Sequence, residues 1–250
     1  MPSTADNRFV ERKYRSLFQG GLRYFRVSEE QSDLAIGAVR RLESLAREAL
    51  LEARARIEAE IALLPDFLTS FVPLAARPGA PEPVNWMYAA AAAAAVGPMA
   101  AVAGAVAQHV GRALLKHSPE VIVENGGDIY IATRQDRLVA VFAGDSPLSL
   151  KVAVKVPPGE WGVCTSAGRV GPSVSTGQAD AAMILSKDTA LADAAATALG
   201  NLLRSGHDIE MGLERVMGIG GVLGAVAVIG DRIGAAGMIE LAPYNCTGEG

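Results

Sequence analysis

The stretch "DTALADAAATALGN", residues 188–201, spaces Asp193, Thr197 and Asn201 four apart in an alanine-rich background. In a helix of about 3.6 residues per turn, such positions drift by only about 40° per step, so the three side chains share a face. A carboxylate beside a hydroxyl is a donor pair for a hard cation such as Mg2+, which takes about six oxygen ligands. A nucleotide diphosphate would supply some of the others. The projection also puts Leu191, Ala195, Ala198 and Leu202 on the opposite stripe. Taken alone, the residues therefore favour a surface helix whose polar side meets water.

Two other segments carry chemistry-bearing residues. In "ENGGDIY", Gly126 and Gly127 separate two strand-like runs, and Glu124, Asn125 and Asp128 flank them with oxygens. Glycine lets a backbone turn tightly or approach a ligand closely. Alone, the pair is better explained by a strand connection or β-bulge needing positive φ. No Gly-Lys-Ser/Thr follows, so this is no P-loop. In "CTSAGRVGPSVSTGQAD", three Ser, two Thr and three Gly lie between Cys164 and Asp180. Such a loop can offer backbone N–H and O–H groups to an anion, or be a plain surface loop. Ser166 and Ser173 would be nucleophiles only beside a base. The three histidines, His109, His117 and His207, are far from this loop in sequence. Cys164 follows "WGV" in a strand-like run and reads as a buried, inert thiol.

The elements that must position these groups are legible in outline. "LRYFRV" and "SDLAIGA" read as strands, and Val39 to about Leu64 as a helix with Leu42, Leu45, Leu50, Ile57 and Ile61 on its apolar positions. "LAARPGAPEPVN" is a Pro-rich loop. "VIVENGGDIYIATRQDRLVAVFAG" reads as three strands, with "LKVAVKV" and "WGVCTS" as two more. "DAAMILSKD" is a strand leading to Asp188 as helix N-cap. That helix is expected to run to about Ser205, with Gly206 as terminator. A second helix follows from about His207 to Met217, then a hairpin turning at "GDR". Antiparallel-looking strand runs separated by long helices predict an α+β fold, and no composition shift divides residues 1–250 into two domains.

Composition narrows the function classes. Half of the 250 residues are hydrophobic and 20% are charged, enough for a large core. The net charge of −4 gives no electrostatic reason to expect a nucleic-acid partner. Two cysteines are too few for a disulfide framework, and "MPSTADNRFVERK" has no apolar signal region; both favour the cytoplasm. "VNWMYAAAAAAAVGPMAAVAGAVAQHV", residues 84–110, has no Asp, Glu, Lys or Arg and is long enough to span a membrane. Its alanine methyls carry little transfer energy, and Gly97 and Pro98 interrupt it. It reads as a loop or short element up to Gly97, then a buried helix with Pro98 in its first turn. Its small residues would permit close helix approach, and with it self-association into a homo-oligomer.

Taken together and in this order, the segments resemble the ApbE family, the flavin transferases that take FMN from FAD. The matching pieces are Gly126-Gly127-Asp128, Thr165-Ser166-Ala167-Gly168, Ser175-Thr176-Gly177 and Asp193-Ala-Ala-Ala-Thr197-Ala198. The chain is more closely similar to uncharacterised protein family 0280, a branch sharing "SPMAAVAGAVA", "ENGGD", "CTSAG" and "ADAAAT"; Gly97 replaces the first Ser here. The resemblance spans most of residues 21–240. It implies a T-fold-like α+β architecture of mostly antiparallel sheets packed with long helices, and a cleft for FAD or a related nucleotide. It also implies Mg2+ on Asp193 and Thr197. Glu124, Asn125, Gly126, Gly127, Asp128, Thr165, Ser166, Ser173, Ser175, Thr176 and Gly177 would then surround the flavin nucleotide. A target threonine on a protein acceptor would attack the FMN phosphate while AMP leaves.

The sequence departs from the transferase pattern twice. Transferases carry Gly-x-x-Lys-Gly at the start of the earlier helix, where "MAAVAGA" has no lysine. They carry a histidine and Asp-Pro before Thr-Gly, and "RVGPSVSTG" has neither. The resemblance therefore implies two alternatives. One is a nucleotide-binding flavin transferase or flavin-nucleotide hydrolase. The other is a non-catalytic accessory protein, in sulfur assimilation towards homocysteine, that has lost transfer.

Overall fold

The computed structural model describes residues 21–167 and 177–244. Along these the order is β1 (Arg23–Glu29), β2 (Ser32–Ala38), α1 (Glu43–Leu63), α2 (Asp66–Thr69), α3 (Val84–Ala94), a 3-10 turn (Pro98–Ala101) and α4 (Val102–Leu115). There follow β3 (Val121–Asn125), β4 (Asp128–Thr133), β5 (Arg137–Ala140), β6 (Val152–Val156), β7 (Gly159–Ser166) and β8 (Ala181–Ser186). The chain continues through α5 (Thr189–Leu202), α6 (Ile209–Met217), β9 (Val222–Ile229), β10 (Arg232–Gly237) and β11 (Glu240–Pro243).

β1-β2-β3-β4-β7-β8-β9-β10 form one sheet in that order, and β11-β6-β5 form a smaller one. Every pairing is antiparallel. Alternation along each strand sends successive side chains to opposite faces. Val121, Val123 and Tyr130 join the core under α1, α3 and α4, and Cys164, Ala182 and Ile184 join the core under α5 and α6. Ile122, Ile129, Val163 and Met183 point the other way, against Val139, Val154 and Val156 of the small sheet. The molecule is thus three layers, helices over a long sheet over a short sheet. This is the expected α+β class.

A second buried carboxylate sits well away in sequence from the residues considered above. Glu60, near the end of α1, has a fully buried side chain that accepts from Arg77 Nε at 3.1 Å and Nη2 at 2.5 Å, and from the Tyr88 hydroxyl at 2.8 Å. It fastens the loop before α3 to α1.

Several boundaries differ from expectation. The segment read as a loop or short element up to Gly97 is an eleven-residue helix, α3, from Val84 to Ala94. Alanine has the highest helix propensity of any residue, and the helix stops only where Ala95 turns left-handed at φ 56°. α5 ends at Leu202, short of the expected Ser205, because Leu203 is already extended. β11 lacked a sequence signal and was not expected. Among the described residues no single helix is long and apolar enough to cross a membrane; α3 and the 3-10 turn with α4 pass only as a pair bent by 107°.

Candidate functional site

The paired glycines make a two-residue hairpin turn. Asn125 and Asp128 face each other across it, and Gly126 and Gly127 take φ of 73° and 112°. Both angles lie where side chains are disfavoured, which is why glycine stands at both positions. The Gly127 N–H donates to Glu124 Oε1 at 2.9 Å, holding the turn against the strand. A Cβ on Gly127 would lie 3.6 Å from the Thr165 carbonyl, so the turn and the end of β7 share one rim of the sheet.

Strand alternation then divides the candidate residues. Asn125 and Asp128 face the helices, as do Cys164, which pairs with Asp128, and Ser166 one pleat on. Glu124 and Thr165 face the small sheet, on the far side of the rim. Asn125 Nδ2 donates to the Ala103 carbonyl in the first turn of α4 at 3.1 Å, so its amide fixes a helix in place. Ser173, Ser175 and Thr176 lie outside the described residues. Gly177 is described, and it packs against the Gly200 carbonyl late in α5.

α5 crosses β7 with Thr189 over Gly162, and the Cys164 thiol donates to the Thr189 carbonyl at 3.4 Å. Asp193 comes one turn later. It is only 9% exposed, and its Oδ2 accepts from the Gly104 N–H at 2.8 Å. The alternative of a solvated polar face is therefore overturned for Asp193. The sheet lies on one side of α5 while α3 and α4 cover the others. Its alanines let these elements approach closely enough to enclose the carboxylate. Thr197, a further turn on, is half-buried. The Ser166 Oγ and Thr189 Oγ1 are buried and have no hydrogen-bond partner among the described residues.

The electrostatics are those of two carboxyl groups held close together in a buried setting. Burial, and then the facing Asp128, push the Asp193 carboxyl well above the usual carboxylate range; the Gly104 and Ala103 N–H groups partly oppose this. Burial first, then Asp128 and Asp193, push the Cys164 thiol up, so it is inert as a nucleophile. Among the described residues, the groups acting on Asp193 are Asp128 and the Gly104 and Ala103 N–H groups, none of them a cationic side chain. Among the described residues no three of His, Cys, Asp and Glu are arranged to hold a metal by themselves. The arrangement can share a proton or a cation between two carboxylates with hydroxyls alongside.

Two groups at this site escaped the sequence reading. Gly104 approaches α5 so closely that a Cβ there would sit 2.4 Å from the Thr189 carbonyl. Gln108, 1% exposed, accepts from the Thr189 N–H at 2.5 Å. The visible signal was a lone amide within the Ala/Val run "AVAGAVAQHV".

The fold is that of the ApbE flavin transferases. The crystal structure of Pseudomonas stutzeri flavinyl transferase ApbE in its apo form is similar over 88% of this chain and 95% of its own, with TM-score 0.52 at 16% identity. The ApbE protein of Thermotoga maritima is similar over 85% and 96%, with TM-score 0.53 at 13% identity. Sequence places the chain more narrowly. The family model described as AbpE bacteria matches residues 15–216. The UPF0280 protein of Methanococcus aeolicus is 39% identical over 203 residues, 78% of this chain and 82% of that relative. The UPF0280 protein MK0206 of Methanopyrus kandleri is 40% identical over 220 residues, 85% and 89% of the two chains. The chain belongs to the UPF0280 family, an ApbE-like branch.

Proposed function

We propose that the chain binds FAD or a related nucleotide together with Mg2+, on the helix face of the long sheet beside the Gly126–Gly127 turn. The observation that carries this reading is the buried Asp193 carboxylate set against Asp128. Two such groups stay ionised together only when positive charge lies between them. The available donors are oxygens, which suits a hard cation. Two carboxylates and a hydroxyl fall short of the roughly six ligands Mg2+ takes, which leaves positions for phosphate oxygens and water.

In this reading Asp193 and Thr197 hold Mg2+, with Asp128 alongside. The Gly126–Gly127 backbone lets the nucleotide approach the rim, and Ser166 offers its hydroxyl on the same face. Asn125 keeps the first turn of α4 in place. Mg2+ would supply neutralisation of the charge that develops on the pyrophosphate. Incubation with FAD and Mg2+, followed by chromatography, tests the reading. Released AMP is the product expected of transfer to a protein acceptor, or of hydrolysis. Asp193→Ala is expected to lose Mg2+-dependent FAD binding while remaining folded, and an unchanged flavin titration of that variant would count against the site.

A second reading is favoured by one observation. The start of α4 carries no lysine. A chain that holds the nucleotide but lacks the charge needed to complete transfer would serve as a carrier or accessory protein. Intact FAD recovered from the protein, without AMP, selects it.

A further inference from the structure

We propose that Gln108 is the positioning residue that sets the rotation of α5 and thereby aims Asp193 at Asp128; the proposal rests on the cation reading above. Gln108 and Gly104 are four residues apart on α4, so they share a face. Thr189 and Asp193 are likewise four apart on α5. The bonds run from Gly104 N–H to Asp193 Oδ2 at 2.8 Å and from Thr189 N–H to Gln108 Oε1 at 2.5 Å. Each helix gives one donor and one acceptor, and the pairing order is antiparallel.

Either bond alone would let α5 turn about it. Two bonds one turn apart, about 6 Å along each helix, remove that freedom. The Thr189 N–H is also the first-turn donor that local capping leaves over. Asp188 accepts from Ala190 and Leu191 only, at 3.0 and 3.2 Å, so Gln108 completes the cap from another helix. Much of the sequence around this strap is Ala and Gly, which pack closely but provide little interlocking shape to resist rotation. The amide therefore sets an angle that the small side chains leave open.

The test compares Gln108→Met, which fills the same space without an acceptor, with Gln108→Glu, which keeps an acceptor oxygen at the same reach. Mn2+ is the probe, followed by electron paramagnetic resonance at temperatures where circular dichroism shows each variant folded. Amide hydrogen exchange of residues 189–193 is followed without metal. Gln108→Met is expected to bind Mn2+ about tenfold more weakly and to exchange faster; Gln108→Glu is expected to recover both. Wild-type Mn2+ affinity in folded Gln108→Met overturns the proposal, and so does failure of Gln108→Glu to recover. Gln108→Asn keeps the amide but is one methylene short, and it carries the same expectations if Gln108→Met does not fold. A wild-type chain that takes up no Mn2+ overturns the cation reading instead. The exchange rates then judge the strap alone, and unchanged protection in Gln108→Met overturns it.

Discussion

Glu60 and Asp193 are both buried carboxylates on helices, yet their surroundings are opposite. Glu60 has a guanidinium forked onto it and a tyrosine hydroxyl beside it, and Arg77 foremost holds its carboxyl below the usual range against the effect of burial. Asp193 has two backbone N–H groups and another carboxylate, and is pushed up. The first arrangement is complete as it stands. The second is complete only with a proton or a cation added. The difference separates a group that holds the fold from one that, in the proposed reading, takes a cation.

Substitutions can break this comparison. The largest expected effect is Glu60→Ala, which strands Arg77 and Tyr88 and should cost about 2–3 kcal/mol in urea unfolding, at the lower end because Arg77 is 40% exposed. A smaller loss would mean that the first cluster is less complete than its geometry. Gly104→Ala should cost about 2 kcal/mol, since its methyl meets the Thr189 carbonyl and Asp193 Cβ at 2.4 and 2.8 Å. It should also weaken Mn2+ binding by moving the N–H that Asp193 uses. Gly127→Ala would place its methyl in ordinary contact with the Thr165 carbonyl but keeps φ near 112°, so about 1–2 kcal/mol of backbone strain is expected. Asp193→Asn should change metal-free stability by less than about 1 kcal/mol, because it removes a like-charge contact, yet abolish Mn2+ binding. A large loss of stability in Asp193→Asn would make Asp193 another Glu60.

The pH response sharpens the same contrast. Glu60 is depressed, so its contribution is present above its unfolded value and lost as the pH falls through its folded value. Asp193 is raised, so its contribution is present below its unfolded value and lost as the pH rises through its folded one. In EDTA the melting temperature should therefore decline on both flanks. Glu60→Gln is expected to flatten the acid flank, and either Asp193→Asn or added Mg2+ the other. An Asp193 flank indifferent to Mg2+ would argue against a cation there.

Much of the fold was legible because periodicity reports burial directly. The β9–β10 hairpin, the Asp188 cap and the glycine turn follow from local rules about turns and caps. α3 was left between a loop and a short element because its alanine-rich run has no amphipathic period; its helical form comes largely from propensity. The spacing of Asp193 and Thr197 was readable, but their exposure was not, since a helix wheel cannot show that neighbouring helices cover the polar stripe. Glu124 and Thr165 looked like partners of Asp128 until strand alternation placed them across the sheet. Gln108 and Gly104 act through contacts more than 80 residues away, which no local pattern encodes.

The close seating of Gly104 on α5 has a consequence for traffic. With no side chain there, the two helices meet backbone to carbonyl, and a hydrated ion has no gap on that side to pass through. In the proposed reading a cation would have to enter from the strand ends, past the glycine rim, before it meets the carboxylates behind.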